Sequence, residues 1–213
     1  FKAGTRNMKK KGIFITFEGA EGSGKSTQIR EAAKFFRKKG REVILLREPG
    51  GTKISELIRK ILLDRANQGM SHATELFLYL AARAQVVEEK ILPALREGKV
   101  VIADRFEDST RAYQGFGRGF SLEAIESMSR LVRGTLIPDL TFVLDVDITK
   151  GLARGGRHDR IEWEALSFHR KVRQGYLTLA RKEPGRMLVL DTDQPVSVVK
   201  QCVLERLQRV FGK

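Results

Sequence analysis

The chain has 213 residues, 41% hydrophobic and 31% charged, the composition of a globular domain large enough to bury a core of its own. No run approaches the 18 or so apolar residues of a membrane-spanning helix, and no apolar signal core follows the basic N-terminus ahead of the first strand, so neither a membrane protein nor a secreted one is expected. The single cysteine, Cys202, excludes an internal disulfide and suits a reducing cytosol, and a cytoplasmic location is expected.

The formal charge of +14 needs dissecting before it is assigned to a partner. Residues 1–11 carry Lys2, Arg6, Lys9, Lys10 and Lys11 and no acid, which leaves +9 (14 less 5) on the remainder. This basic extension stands apart from a single domain over 12–213, and residues 1–7, ahead of Met8, are open to being an expression leftover. Much of the remaining excess lies around residues 154–186, where an enzyme that handles phosphates would place it. The charge therefore fits anionic small substrates, and neither a nucleic-acid nor a membrane partner is expected.

Taken in order, the apolar run Ile13–Glu18 reads as a buried strand. It leads into Gly19-Ala20-Glu21-Gly22-Ser23-Gly24-Lys25-Ser26-Thr27, which fits the phosphate-loop pattern G-x-x-x-x-G-K-[ST]. Ile29, Ala32, Ala33 and Phe36 then recur at helical spacing. Glycines let the loop turn its N–H groups toward an anion, and the helix N-terminus adds positive potential. Lys25 is expected on the β- and γ-phosphates of ATP and Ser26 on Mg²⁺.

Gly40 ends that helix, and Val43–Leu46 forms a second strand. Arg47–Thr52 is a loop by its Pro-Gly-Gly punctuation. A helix over about 54–63 places Leu57, Ile58, Ile61 and Leu62 on one side. Ser71 caps a long helix over about 72–95 with Pro93 near its end. Val100–Ala103 is a third strand, with Asp104-Arg105 at its C-terminal end. Residues 106–120 read as a binding loop containing a short helix.

Ser121 caps a helix carrying Leu122, Ile125, Met128 and Val132 on one face. Residues 141–145 form a fourth strand. The basic, glycine-rich segment at about 154–161 reads as a lid. A helix over about 162–182, a fifth strand at 187–190 and a helix opened by Pro195, carrying Val199, Val203, Leu207 and Val210, complete the chain. Alternating strands and helices predict an α/β fold with a five-stranded, mostly parallel sheet and helices on both faces. Ligands are then expected at the C-terminal ends of the strands. No internal repeat, low-complexity tract or second-domain linker is present.

Five stretches narrow the function: FEGAEGSGKST (17–27), REPGGT (47–52), the Tyr79/Arg83 helix, DRFEDSTRAYQG (104–115) and a lid ending DRIE (159–162). In this order they resemble the bacterial thymidylate kinases, from about Gly12 to Phe211. The resemblance implies the P-loop NTPase fold and Mg²⁺-dependent, in-line transfer of the γ-phosphate of ATP to dTMP without a covalent intermediate. It also implies a homodimer packed through helices beside the sheet.

At the level of residues, the resemblance implies that Glu21 holds the 3′-hydroxyl of the acceptor sugar, a role that suits a carboxylate acceptor. Arg59 and Arg105 hold the acceptor monophosphate, and Glu48 and Pro49 shape its pocket. Asp104 positions Mg²⁺ directly or through water. Tyr79 stacks on the base while Arg83 reaches O4. Phenylalanine is the usual occupant where this chain has Tyr79, so stacking is kept and a hydroxyl added. Without the resemblance, Tyr79 reads as a core aromatic and Arg83 as a solvated charge. Ser109 and Gln114 contact the base, and Tyr113 presses on C2′, excluding ribonucleotides.

Some relatives carry an arginine just after the loop acid, where this chain has Gly22. The other subtype supplies catalytic arginines from the lid, matched here by Arg154, Arg157 and Arg160 beside Lys25 and Arg105; which lid arginine reaches the phosphoryl group is left open. Asp193-Gln194-Pro195 is expected around the adenine, and His158 and His169 are read as surface or lid residues. The rival readings are another nucleoside monophosphate kinase, and a non-catalytic nucleotide-binding protein with a nucleic-acid-binding surface.

Overall fold

The computed structural model of the chain describes residues 11–155 and 159–212. Its centre is a five-stranded sheet of β1 (Ile13–Glu18), β2 (Val43–Arg47), β3 (Val100–Asp104), β4 (Leu140–Asp145) and β5 (Met187–Asp191). The order is β2-β3-β1-β4-β5, and every pairing is parallel. All five expected strands are present, and the sheet expected to be mostly parallel is parallel throughout. The helices among the described residues are α1 (Lys25–Lys38), α2 (Lys53–Leu63), α3 (His72–Val86), α4 (Leu92–Arg96), α5 (Glu107–Thr110), α6 (Leu122–Arg133), α7 (Ile148–Gly155), α8 (Leu166–Lys182) and α9 (Val196–Phe211).

The two-residue side-chain period of β1 divides the helices between the faces of the sheet. Ile13, Ile15 and Phe17 pack with Ile29, Ala33 and Phe36 of α1 and Val199, Val203 and Leu207 of α9. Phe14 points the other way, into a cluster with Val86, Val87, Ile91 and Ala94. A third cluster joins Val143 of β4 to Val172, Tyr176 and Leu179 of α8. Among the described residues no helix is long and apolar enough to cross a membrane.

Register brings the functional loops together. Phe17 and Arg47 both stand level with Asp104, so β1, β2 and β3 end side by side. Backbone bonds from Arg105 N to Phe17 O (2.9 Å) and from Glu48 N to Asp104 O (2.9 Å) continue that alignment into the loops.

Several elements differ from expectation for identifiable reasons. Ser71 and Ser121 do cap α3 and α6, accepting from Thr74 N (3.1 Å) and Ala124 N (3.2 Å). The long helix at 72–95, however, passes through a π-helical stretch, Val87–Ile91, before α4. Pro93 has no N–H to bond the carbonyl four residues back, and the wider turn ahead of it accommodates the break. The segment at 106–120 is mostly helical, α5 running into a π-helical turn at Arg111–Gly117. The helix expected from 162 begins at Leu166, because Asp159 Oδ1 accepts from Ile161 N and Glu162 N (both 2.9 Å) and closes a separate turn. On α2, Leu62 is buried whereas Leu57 and Ile61 are exposed, so its apolar residues do not all face the core.

α7 was not expected at all. Its glycines suggest loop, but Asp147 Oδ1 accepts from Thr149 N (3.0 Å) and Lys150 N (3.2 Å) and caps the first turn. Arg154, expected in a lid loop, is therefore a helical residue.

Candidate active site

The phosphate loop joins β1 to α1 under a buried Lys25, whose Nζ donates to the carbonyls of Gly19 (3.1 Å) and Ala20 (2.9 Å). Burial, and then the nearby Arg105, lower the Lys25 pKa; Glu21, Asp104 and Glu18 oppose them. Asp104 Oδ1 is buried without a hydrogen-bond partner at the end of β3, as is Ser23 Oγ within the loop. An unpartnered carboxylate oxygen near Lys25 is a donor suited to a hard cation, and Ser26 stands in the first turn of α1; these residues fit Mg²⁺.

The loop is also held from outside. A Cβ on Gly22, whose φ is +67°, would come within 2.0 Å of Gly151 O on α7; one on Gly151 would meet Glu21 O at 2.6 Å. Two glycines thus let α7 sit directly on the loop backbone, and position 22 has no room for an arginine.

Beside the loop lies a cleft open to solvent. Glu21, Glu48, Pro49, Arg59, Tyr79, Arg83, Arg105, Ser109, Tyr113 and Gln114, the whole set expected around the acceptor, line it together. Arg105 is the pivot between cleft and loop. It holds a left-handed φ of 72°, uncommon outside glycine, which turns its side chain back across the strand ends. The guanidinium donates to Gly19 O (2.8 Å), Tyr176 Oη (3.2 Å) and the Glu21 carboxylate, and lies 5.3 Å from the Tyr113 ring centre. Arg105 accordingly pulls the Glu21 pKa down to about 2 against the effect of burial, with Lys25 assisting.

Arg83 is buried, neither a solvated charge nor a bare surface fork. It donates Nε to Glu48 Oε2 (2.8 Å) and Nη1 to Thr110 Oγ1 (2.9 Å). Tyr79, one turn earlier, is half-buried on the cleft wall and not a core aromatic. Arg59 donates to Pro49 O (2.9 Å).

The lid residues separate. Arg157 and His158 lie outside the described residues. Arg154 is exposed at the end of α7, with its guanidinium 4.0 Å from Asp193, and Lys150 on the same helix reaches Asp193 at 3.2 Å. Gln194 and Pro195 follow in an exposed turn, where Asp193 N bonds Asp191 Oδ1 (2.9 Å). Arg160, expected among the catalytic arginines, is placed otherwise. It is buried, donating Nη1 to Glu75 (2.7 Å) and Nε to Leu62 O (2.9 Å), and so fastens the 159–164 turn to α2 and α3. His169 is likewise buried on α8 and not a surface residue.

Four residues had no role in the sequence reading. Glu18, buried at the end of β1, accepts from Phe106 N (2.8 Å), Ser109 Oγ (2.6 Å) and Tyr176 Oη (3.2 Å). Burial and Asp108 push its carboxyl up to about 8 against those bonds. Tyr176 of α8 reaches Ser109 as well (2.7 Å). Thr110 supports Arg83, and Glu75 gathers donors from three residues of two segments, Gln114 and Arg118 of one and Arg160 of the other. Glu18 and Thr110 lie inside the 17–27 and 104–115 motifs but carried no role there, the cleft-lining carboxylates Asp159 and Glu162 lie in the DRIE motif, and Tyr176 and Glu75 had no local signal.

A phosphate loop at the C-terminal edge of a parallel sheet, sharing Arg105 with an adjoining cleft lined by arginines, carboxylates and aromatic rings, defines a P-loop kinase that phosphorylates a small acceptor. The thymidylate kinase family model matches residues 17–203. A thymidylate kinase of Trichlorobacter lovleyi is 48% identical over 208 residues, spanning 92% of this chain and 98% of the relative. One of Protochlamydia amoebophila is 47% identical over 217 residues, spanning 97% and 96%. The crystal structure of thymidylate kinase from Ehrlichia chaffeensis superposes with a TM-score of 0.77 at 36% identity, covering 93% of this chain and 99% of that one. The chain belongs to the thymidylate kinase family.

Proposed function

We propose that the chain phosphorylates dTMP to dTDP with ATP by holding the two nucleotides on either side of Arg105. The observation that carries this residue-level scheme is that the ten acceptor residues line one cleft, and that Arg105 of the cleft and Lys25 of the loop share the Gly19 carbonyl. On the donor side, ATP phosphates draw Lys25 away from the Gly19 and Ala20 carbonyls, and the loop N–H groups of residues 19–27 surround them. Ser26 and Asp104 would hold Mg²⁺, which supplies charge neutralisation of the phosphates when bound. Asp193, Gln194 and Pro195 flank the adenine.

On the acceptor side, Arg59 and Arg105 grip the monophosphate and Glu21 accepts the 3′-hydroxyl. Tyr79 stacks on the base, and Arg83, Ser109 and Gln114 read its edge. Tyr113 fills the space a 2′-hydroxyl would need. The nucleophile is a phosphate oxygen of dTMP, already anionic at neutral pH, so positioning and charge stabilisation suffice. Arg154 on α7 and Arg157 of the lid supply that stabilisation. The enzyme works in the cytoplasm as a homodimer. Leu57 and Ile61 on α2, Phe77 on α3 and Leu131 on α6, the last two 60% and 89% exposed, support such a pairing.

The test is ADP production from Mg-ATP with dTMP, dUMP, UMP, CMP, dGMP or no acceptor. Fast turnover with dTMP and little with the ribonucleotides is expected. ATP binding without acceptor-dependent turnover would remove the scheme.

A further inference from the structure

Glu75 stands on α3 one turn before Tyr79 and two before Arg83, on the same helical face, yet it is wholly buried and is absent from the cleft wall. Its two oxygens take four donors. Oε1 accepts from Gln114 Nε2 (2.9 Å) and Arg118 Nε (3.1 Å); Oε2 accepts from Arg118 Nη2 (3.0 Å) and Arg160 Nη1 (2.7 Å). Four donors fill the acceptor capacity of an ionised carboxylate, which has no hydrogen to give back. Burial alone would raise its pKa, but the bonds from Arg118, Gln114 and Arg160 hold it below the usual carboxylate value.

This settles which way the Gln114 amide faces. Its nitrogen must point at Glu75, because a carboxylate surrounded by arginines accepts and does not donate. Gln114 also lines the cleft, so the group it offers there is its oxygen. Beside it, Arg83 has Nε and Nη1 engaged by Glu48 and Thr110, leaving Nη2 for the cleft. The base edge thus meets an acceptor next to a donor. Thymine and uracil present the complement, an N3–H next to the O4 carbonyl. Cytosine presents the reverse, a bare N3 next to an amino group.

We propose that Glu75 is a positioning residue for base specificity, fixing the Gln114 amide so that the cleft accepts pyrimidines carrying an N3–H and rejects those lacking it. The inference rests on the reading of dTMP as acceptor. Arg160 on the same carboxylate ties the 159–164 turn to this arrangement, since its backbone N also bonds Leu63 O (3.1 Å).

In Glu75→Gln the new amide turns its oxygen to the two arginines and its nitrogen to Gln114, which then reverses and shows the base an N–H. The ratio of kcat/KM for dTMP to that for dCMP is expected to fall about tenfold or more, since a mispaired buried polar group costs on that scale. The dTMP-to-dUMP ratio should hold, because the 5-methyl group does not touch the N3 edge. A merely structural loss would lower all three substrates together. A folded Glu75→Gln with the wild-type dTMP-to-dCMP ratio would overturn the proposal.

Two further variants make the result independent of folding defects in the first. Glu75→Asp keeps the charge facing both arginines but withdraws the oxygen from Gln114, and the same ratio should fall. In a Gln114→Leu background, Glu75→Gln should change the ratio no further; an undiminished change there would show that Glu75 does not act through Gln114. Wild-type protein that fails to turn over dTMP would instead remove the acceptor reading itself.

Discussion

The acceptor cleft and the donor end of the site are built on different terms. In the cleft nearly every polar group is already engaged by a neighbour: Arg83 by Glu48 and Thr110, Gln114 by Glu75, Ser109 by Glu18 and Tyr176. At the donor end Lys25 bonds its own loop, Asp104 keeps an unpartnered oxygen, and Arg154 is exposed near Asp193. Recognition of a base depends on groups whose direction is fixed before binding, because a wrong direction is what rejects the wrong base. Phosphoryl transfer depends on charges that converge only when the phosphates are present, and groups held in wait there must be released by the substrate.

Arg105 belongs to both regions, and removing it should produce the largest effect. Arg105→Ala takes away the donor proposed for the acceptor phosphate and leaves Glu21 without its partner. A fall of about 10³-fold in kcat/KM for dTMP is expected, in the range for loss of a charge-stabilising arginine. ATP affinity, measured by fluorescence titration without acceptor, should change little. Equal losses on the two nucleotides would show that the two regions are not separable at this residue.

A smaller effect should isolate the donor end. A Cβ at residue 151 would collide with Glu21 O at 2.6 Å and with Val146 Cγ1 at 3.0 Å, so Gly151→Ala must lift α7 from the phosphate loop. Overpacking of this kind costs about 1–3 kcal/mol. A rise in KM for ATP of about tenfold is expected, with KM for dTMP nearly unchanged. A shift in both constants would mean that α7 sets the cleft as well as the loop.

What could be read from the sequence follows the same division between local and distant causes. The phosphate loop, the five apolar strands and the capping serines Ser71 and Ser121 are properties of a few consecutive residues, and each appears where its pattern lies. The residues that the thymidylate kinase motifs assign to the acceptor come together in one cleft because their spacing is tied to strand ends that the parallel register aligns. Glu75 had no such signal, and Glu18, although inside the 17–27 motif, carried no role there. One looks like a surface acid in the first turns of a helix, the other like the polar end of a strand. Their meaning comes from Gln114, 39 residues away, and Tyr176, 158 residues away. Arg160 misled for the same reason: a lid motif does not show that a buried carboxylate waits for its guanidinium. The cap at Asp147 was a local signal for α7 that the glycines 151, 155 and 156 obscured.

The smallest effect concerns Glu18, on the cleft side, and is a change in pH dependence. Its folded pKa of about 8 stands above the ordinary value of 4.5, so between those values the folded state keeps a proton that the unfolded state has lost. Stability from this group is therefore fully present below about pH 4.5, declines as pH rises through that window and is level above about 8. Glu18→Gln has no proton to lose and keeps one acceptor for Phe106 N, Ser109 or Tyr176. Urea unfolding at pH 5 and pH 8 should show the variant gaining on the wild type by about 1–2 kcal/mol between the two, well below the limit of roughly 1.4 kcal/mol per pH unit. A difference that stays constant would mean that Ser109, Tyr176 and Phe106 N outweigh burial and keep Glu18 ionised. In that case a fixed charge, and not a neutral acid, is what orders the cleft next to Arg105.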